Sequence, residues 1–197
     1  MELNLKGKTA LITGGSKGIG LAIKKALEKE GVKCISWSRS EGVNLDNSAI
    51  CHLPKVDILI NNVGGRGTVK EIDATMDINY ITTASLTNKF LINKPKWGRV
   101  ITISSIYGKE KGPNPYFTAS KSAQIAYMKC LAGKYDGITF NTICPGHINV
   151  GKPFPDDPKV IGKPKDVANL VVFLCSDKAK HINGACITVD GGESHAF

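Results

Sequence analysis

The amino-acid sequence predicts an α/β fold in which a doubly wound parallel sheet is flanked by helices. Short apolar runs such as Thr9–Thr13 and Val56–Ile60 lack polar alternation, as expected for strands buried on both faces of a sheet. Amphipathic segments of helical period separate these runs along the chain. With 197 residues and 42% hydrophobic content, the chain can bury one core, and we expect a single domain over residues 1–197.

The first apolar run leads into a glycine-rich turn and then a helix. Gly14, Gly18 and Gly20 follow the strand at the spacing GxxxGxG. Glycine permits the sharp turn and lets a pyrophosphate approach backbone N–H groups, while the positive end of the next helix favours the anion. The helix is expected to stop at Gly31. Strand, glycine turn and helix in this order indicate a dinucleotide-binding loop.

The end of the second strand bears on which dinucleotide is bound. Val32–Trp37 forms this strand, Ser38 and Arg39 follow it, and Lys17 lies inside the glycine turn. An acidic residue here would bind the ribose 2′-OH of NAD, whereas a small polar residue followed by arginine accommodates a 2′-phosphate. NADP is therefore favoured over NAD; the alternative is that both cations are solvated surface groups.

The connection after Arg39 is unusually short. A parallel crossover takes about a dozen residues or more, usually including a helix, but only Ser40–Gly42 separate Arg39 from the strand-like Val43–Asp46. We therefore predict that the second crossover helix is absent and that this edge of the sheet is reduced. Asn44–Asp46 is expected near the adenine end of the nucleotide.

The rest of the chain continues the alternation of strands and helices. Asn61, Asn62 and Gly64 follow the buried strand Val56–Ile60, at the sheet edge where doubly wound folds place their ligand crevice. Asn79 falls inside a predicted helix, and because asparagine is an indifferent helix former it has either a local role or an exposed position. The predicted elements are the helices Glu71–Ile92, Pro115–Ala132 and Lys165–Leu174, the strands Arg99–Ser104, Ile138–Cys144 and Cys186–Asp190, and a lid, Pro145–Lys163.

Composition argues against several other function classes. The formal charge of +9 comes from dispersed lysines without interleaved aromatics, which indicates a solvated basic surface and no nucleic-acid site. The four histidines lack metal-ligand spacing, so no metal is expected. The six widely spaced cysteines are interpreted as reduced core residues. No apolar run approaches the ~20 residues of a membrane span, and Met1–Gly7 lacks a signal-peptide core, so we expect a cytoplasmic protein without membrane contact.

Motifs follow one another in order along nearly the whole chain. They are TGGSKGIG at 13–20, NNVGG at 61–65, ISS at 103–105, NTICPG at 141–146 and ITVDGG at 187–192. These motifs, and the segment 162–177 between the last two, resemble the landmarks of the short-chain dehydrogenase/reductase family. The resemblance implies a Rossmann-type domain that transfers hydride between nicotinamide and the carbonyl or alcohol carbon of a small molecule.

The resemblance also implies roles for individual residues. Ser105 would hydrogen-bond the substrate oxygen, Asn79 would hold a water in a proton relay, and Lys121 would bind the nicotinamide ribose and lower a tyrosine's pKa. Ser105 is preferred to Ser104 because SIYG at 105–108 matches the family's serine followed by two residues and glycine. Homodimers or homotetramers built on the helices near 71–92 and 115–132 are implied. The cofactor is expected to contact Gly14, Ser16, Lys17, Gly18, Ile19, Gly20, Ser38, Arg39, Asn61, Asn62, Gly64, Lys121, Pro145, Gly146 and Ile148.

One catalytic position departs from the family pattern. The family spaces its tyrosine and lysine as YxxxK, which puts both on the same face of a helix. Lys121 is identified from FTASKSA, but Phe117 stands four residues before it. The tyrosine is Tyr116, about 100° further round an ideal helix. A phenyl ring has no proton to donate, and general acid catalysis contributes about 10²–10⁴ in rate.

Three interpretations of this departure remain open. An irregular helix start would bring Tyr116 into the site. Alternatively, Ser105, Tyr107, water or a substrate group supplies the proton, and Phe117 is apolar lining. In the third interpretation the chain has lost efficient catalysis.

A second departure concerns the cofactor's carboxamide. The family often has a threonine shortly after its PG, where this chain has Val150, which leaves that contact to backbone groups such as Ile148. The leading hypothesis is an NADP(H)-dependent oxidoreductase acting on a ketone or secondary alcohol, with catalytic residues Ser105, Tyr116, Lys121 and Asn79. The alternative is a catalytically weak NADP-binding or scaffold protein of the same fold.

Overall fold

A six-stranded parallel sheet forms the centre of the molecule. The computed structural model describes residues 2–43, 45, 53–65, 72–93, 95–151 and 160–196. The strands are β1 (Thr9–Thr13), β2 (Lys33–Trp37), β3 (Ile58–Asn61), β4 (Gly98–Ile103), β5 (Ile138–Pro145) and β6 (Cys186–Val189). They pair in the order β2-β1-β3-β4-β5-β6, and every pairing is parallel.

Helices cover both faces of this sheet. They are α1 (Gly18–Lys29), α2 (Ile72–Met76), α3 (Thr82–Ile92), α4 (Pro115–Leu131) and α5 (Pro164–Cys175). Ile23 of α1 and Val171 of α5 share one buried cluster with Ile12 of β1. Leu86 of α3 and Met128 of α4 share the opposite cluster with strand residues that include Leu11 and Phe140. Because neighbouring residues of a strand face opposite ways, the uninterrupted apolar strands fill both layers, and the predicted doubly wound fold is confirmed.

The edge of the sheet beyond β1 is reduced, as predicted. β2 is the edge strand, and between it and β3 the described residues contain a single 3₁₀ turn, Arg39–Glu41, and no α-helix. Within Asn44–Asp46 only Leu45 belongs to the described residues, and it is buried in the cluster on the α3 and α4 side. The predicted place of Asn44 and Asp46 near the adenine lies outside the described part of the chain.

The helix predicted around Asn79 is interrupted by a wider turn. A π-helical turn, Asp77–Ile81, joins α2 to α3 without a break in the helical backbone. Asn79 sits inside this turn and is fully buried, so the alternative of an exposed polar position is wrong. π turns within helices are common at functional sites, and the contacts of Asn79 described below show its local role.

The cysteines only partly match the prediction of core residues. Cys144 and Cys175 are buried, but Cys34 and Cys186 are half-buried and Cys130 is exposed. Cys130 lies two residues after the buried Met128 on α4, on the side of the helix that faces solvent. The apolar pattern of this segment therefore predicted a core position for Cys130 wrongly. All five are free thiols, and Cys51 lies outside the described residues.

Two features are absent from the described residues. Among their helices, none is both long enough and apolar enough to cross a membrane. Within the same residues, no group of three or more histidine, cysteine, aspartate or glutamate side chains is placed to hold a metal ion.

Candidate active site

A cleft lies at the carboxyl ends of the central strands and contains two adjoining cavities. The Ser105 cavity, of about 460 Å³, is lined by residues that include Ser105, Phe117 and Lys121. The Arg39 cavity, of about 610 Å³, is lined by residues that include Lys17 and Arg39. Asn62, Gly64 and Gly65 line both cavities and join them. Volumes of this size are typical of small-molecule sites, and the position is where doubly wound sheets bind their ligands.

The glycine turn has the geometry that a pyrophosphate requires. Gly14 adopts a positive φ of 68°, and a Cβ at Gly20 would collide with the carbonyl oxygen of Gly14. Helix α1 begins at Gly18 with Lys17 as its N-cap, and no side chain caps its first N–H groups. Uncapped N–H groups at the positive end of a helix form an anion site. The turn therefore fits the pyrophosphate of a dinucleotide.

Two cationic side chains line the Arg39 cavity, and a carboxylate lies beside one of its serines. Lys17, Ser38 and Arg39 line it, as predicted for a 2′-phosphate site. Glu41, which sequence analysis did not single out, accepts hydrogen bonds from the hydroxyls of Ser38 and Ser36. The hydrogen bond from Ser38 lowers the pKa of Glu41 most, and the hydrogen bond from Ser36 lowers it further. A carboxylate thus stands beside the serine that would face the ribose.

Two serines at the end of β4 have different partners. The Ser104 hydroxyl donates to the backbone carbonyl of Lys121 at 2.9 Å and is buried. The Ser105 Oγ accepts from the backbone N–H of Tyr107 at 3.2 Å, which leaves its own O–H proton to be donated elsewhere. Both residues line the Ser105 cavity. Ser105 is therefore the serine suited to hydrogen-bond a substrate oxygen.

Lys121 is held at the floor of the Ser105 cavity. Its Nζ donates to the carbonyl of Ile103 and to Oε1 of Gln124, each at 3.1 Å. Burial lowers the pKa of Lys121 from 10.5 to about 8, because a low-dielectric surrounding disfavours the charged form. The amine therefore changes charge in a pH range that is accessible to experiment.

The pKa shift of Lys121 predicts opposite pH trends for stability and cofactor affinity. Between about pH 8 and 10.5 the unfolded chain holds the proton that the folded chain has lost, so unfolding free energy should rise with pH. The expected rise is on the order of a few kcal/mol. Affinity for an anionic dinucleotide should fall over the same range, because the ammonium charge disappears. Urea titrations and fluorescence binding, each made with the parent and with Lys121→Met, measure both; a Lys121→Met protein with unchanged pH slopes would contradict the assignment.

A buried hydrogen-bond network connects Lys121 to the π turn. Gln124 donates from Nε2 to the backbone carbonyl of Asn79 at 2.8 Å and to the Thr83 hydroxyl at 2.9 Å. The Asn79 side chain exchanges hydrogen bonds with the backbone of Gly65 and donates to Ser120 at 3.0 Å. The Gln124 amide thus lies between Lys121 and the Asn79 carbonyl. Asn79 holds the wall shared by the two cavities in place.

The start of α4 puts Phe117, not Tyr116, in the Ser105 cavity. Asn114 caps the helix by accepting from the backbone N–H groups of both residues, so the helix is regular from Pro115 onwards. Phe117 is buried and its ring centroid lies 5.6 Å from Nζ of Lys121. Tyr116 lines neither cavity. The geometry therefore gives no support to an irregular helix start that would bring the tyrosine in.

A histidine and a glutamate form a further ionisable pair at this site. His147 lines the Ser105 cavity, and its Nδ1 is paired with Oε1 of Glu193. The backbone N–H of His147 also donates to Glu193 Oε2 at 2.8 Å. The rings of His147 and Tyr107 meet edge to face, with centroids 6.2 Å apart. A carboxylate on one ring nitrogen fixes the orientation of an imidazole, the arrangement used by proton-transferring histidines.

The other predicted site residues fall into two groups. Ile19, Asn62, Gly64, Pro145, Gly146 and Ile148 line the Ser105 cavity, and Gly14 and Ser16 line the Arg39 cavity. Gly18, Gly20, Asn61 and Asn79 line neither and act through packing or hydrogen bonds. Asn61 is buried, with Nδ2 donating to Thr87 at 3.1 Å. Val150 is exposed on one side and faces Gly18.

Sequence reasoning missed Gln124 and the His147–Glu193 pair. Gln124 is a polar residue on the buried side of α4, three positions after Lys121, and that interruption of an apolar face was a usable signal. The pairing of His147 with Glu193 spans 46 residues and depends on the tertiary fold. No pattern of neighbouring residues in the sequence predicts such a pair.

The chain is similar to known reductases and to solved structures of the same fold. A family model described as enoyl-(acyl carrier protein) reductase matches residues 43–194. The 3-oxoacyl-[acyl-carrier-protein] reductase FabG of Rickettsia felis is 34% identical over 238 aligned positions, covering 96% of this chain and 98% of that protein. The acetoacetyl-CoA reductase of Shinella zoogloeoides is 30% identical and is matched over 98% of its length, with 94% of this chain covered. A crystal structure of a dehydrogenase/reductase from Sinorhizobium meliloti superposes with a TM-score of 0.86 at 27% identity, covering 98% of this chain and 97% of that one.

The parallel sheet, the glycine turn and the paired cavities define a Rossmann-type fold with a cleft suited to a dinucleotide. The matched family model and the two reductases place the chain more narrowly. It belongs to the short-chain dehydrogenase/reductase family and is an NAD(P)-dependent oxidoreductase. Since 238 aligned positions exceed the 197 residues of this chain, the FabG relative contains segments that this chain lacks.

Proposed function

We propose that the protein is an NADP(H)-dependent reductase of a ketone, working in reverse as a secondary-alcohol dehydrogenase. The observation that carries the proposal is the junction of the two cavities, which puts Ser105 and Lys121 on one wall and Lys17 and Arg39 beyond it. The dinucleotide, when bound, supplies or accepts the hydride. Lys121 holds the nicotinamide ribose, and Ser105 donates its hydroxyl proton in a hydrogen bond to the substrate oxygen.

The proton that completes the reduction comes, in this proposal, from His147. Phe117 occupies the position of the family's acid, and Lys121 is engaged with Ile103 and Gln124. Histidine is the side-chain type best suited to exchange protons near neutral pH. His147 lines the same cavity as Ser105, and Glu193 fixes the orientation of its imidazole ring. Tyr116 is not used.

The preference for NADP is tested by opposite changes at two neighbouring residues. Arg39→Ala is expected to weaken NADPH binding about tenfold or more with little change for NADH, because one charged hydrogen bond to the 2′-phosphate is lost. Glu41→Gln removes the carboxylate beside Ser38 and is expected to tighten NADPH binding. Fluorescence titration with both nucleotides measures the ratio of the affinities. Tighter binding of NADH than NADPH by the parent would refute the NADP assignment.

The substrate is to be sought first among 3-oxoacyl thioesters, the compounds named for the two reductases that resemble this chain. The basic net charge of +9 favours thioesters on acidic carriers. Oxidation of NADPH in the presence of acetoacetyl-CoA, followed by its absorbance, is the direct measurement. Saturable NADPH binding without turnover of any carbonyl or alcohol would exclude the reductase.

A second candidate function is favoured by one observation. Phe117 lines the cavity where an acid is expected, and this fits a catalytically weak NADP-binding protein that works by association. Exposed Ile72, Ile81 and Ile92 lie on the helical segment formed by α2, the π turn and α3, one of the two segments expected to form dimers. We propose a cytoplasmic homodimer or homotetramer in either case.

A further inference from the structure

Two free cysteines meet beside the catalytic serine. Cys144, near the end of β5, is buried, and Cys186, the first residue of β6, is half-buried on the edge strand of the sheet. Their sulfur atoms are 3.4 Å apart. The proposed reaction uses neither thiol. The pair therefore needs an explanation of its own.

The surroundings of the pair favour a thiolate on Cys186. The Cys144 thiol hydrogen-bonds the Cys186 sulfur and, together with the charge of Lys109, lowers the pKa of Cys186 against the opposing effect of burial. The same contact, followed by burial, raises the pKa of Cys144. Lys109 is held close by, since its Nζ donates at 3.0 Å to Thr188, the register partner of Cys144. A half-buried thiolate beside a lysine is the environment of a reactive cysteine.

Cys144 is in direct contact with the active site. The backbone N–H of Ser105 faces the Cys144 sulfur and acts to lower the pKa of that thiol. Pro145 and Gly146, which line the Ser105 cavity, follow Cys144 in the chain. Any displacement of the Cys144 sulfur or of its backbone is transmitted to the serine and to the wall of the cavity.

We propose that Cys144 and Cys186 are an oxidant-sensitive dithiol whose oxidation by a peroxide closes the adjacent active site. The Cys186 thiolate attacks one peroxide oxygen; an S–O bond forms, the O–O bond breaks and hydroxide leaves. The Cys144 thiol then attacks the Cys186 sulfur; an S–S bond forms, the S–O bond breaks, and water leaves with the Cys144 proton. Both thiols are oxidised and one peroxide is reduced.

The register of the strands makes this disulfide disruptive and reversible. Cys144 pairs with Thr188 and Cys186 with Thr142, so the two cysteines are two positions out of register. An offset of two residues, about 6.6 Å along the strand, and a strand spacing of about 4.8 Å put their Cα atoms roughly 8 Å apart, beyond the roughly 4.4–6.8 Å that a disulfide spans. The end of β5 must therefore move when the bond forms. Strained disulfides are readily reduced, as a regulatory bond requires.

Oxidation of the cysteine pair does not depend on the proposed function. The effect of that oxidation on activity does rest on the proposed function. The test treats the purified protein with hydrogen peroxide and follows peptide masses and NADPH fluorescence, neither of which needs turnover. We expect a peptide cross-linked through Cys144 and Cys186, weakened NADPH binding, and recovery of both with dithiothreitol. Cys186→Ser should resist the loss, whereas Cys130→Ser, which removes an exposed thiol, should behave as the parent.

Three results would overturn the proposal. Cys130 oxidising while Cys186 stays reduced would show that the pair is not reactive. A stable sulfenic acid on Cys186 without a cross-link would exclude the disulfide. A cross-link that leaves NADPH binding unchanged would exclude the effect on the site. None of these results depends on whether a ketone is turned over, so failure of the reductase proposal is seen separately.

Discussion

Replacing His147 with glutamine is expected to lower kcat for ketone reduction about 10²–10⁴-fold, the usual contribution of a positioned general acid. Glutamine retains a polar group that can donate to Glu193, so the fold around the strand end should survive. Steady-state kinetics of the parent and of the variant measure the change in kcat.

The control for this variant is His181→Gln, which changes an exposed histidine. It should leave kcat and KM as they are in the parent. A His147→Gln protein with kcat within a few-fold of the parent would remove His147 from the reaction. A melting temperature so low that the variant is unfolded at the assay temperature would instead indicate a structural role.

Phe117→Tyr is expected to restore catalysis to the His147→Gln protein by about 10²-fold or more. The new hydroxyl would project from the cavity wall one helical turn before Lys121, whose amine is 5.6 Å from the Phe117 ring centroid. A nearby ammonium stabilises a developing tyrosinate. In the parent, where His147 already serves, the same change should alter kcat less than tenfold.

The comparison of single and double variants separates the two candidate functions. If Phe117→Tyr alone raised kcat a hundredfold or more, the parent would lack an acid, and the weak-binding alternative would be favoured. Tyr116→Phe completes the set: its side chain lines neither cavity, so kcat should not change. A large loss of kcat in the Tyr116→Phe protein would show that the Tyr116 hydroxyl reaches the substrate.

Much of the fold could be predicted because it depends on local sequence signals. Strand-like sequence patterns identified all six strands of the sheet, and the short connection after Arg39 identified the reduced edge. In the strand-like Val43–Asp46, the described residues Val43 and Leu45 do not belong to a strand. The glycine turn could be placed because few residues other than glycine tolerate its backbone and close contacts. These features are fixed by neighbours along the chain.

The parts of the site that escaped prediction depend on distant contacts. The sequence predicts an ordinary helix across the π turn because the side-chain pattern there does not differ from that of an α-helix. The pairing of His147 with Glu193, and of Cys144 with Cys186, is made by strand ends that meet only in the folded sheet. Glu41 could not be predicted because it lies several residues beyond the end of the second strand. It contacts that strand end only through the hydrogen bonds that it accepts from Ser36 and Ser38.

The buried amide of Gln124 has a consequence for the timing of protonation. A primary amide donates and accepts hydrogen bonds but does not readily pass a proton along, so Lys121 has no route to solvent through Gln124 and the Asn79 carbonyl. The cavity mouth is then its exchange route among the described residues. Once cofactor and substrate fill the mouth, Lys121 should keep the protonation state that it had when they bound. A pH jump made after binding should therefore not change the charge of Lys121 until the complex dissociates.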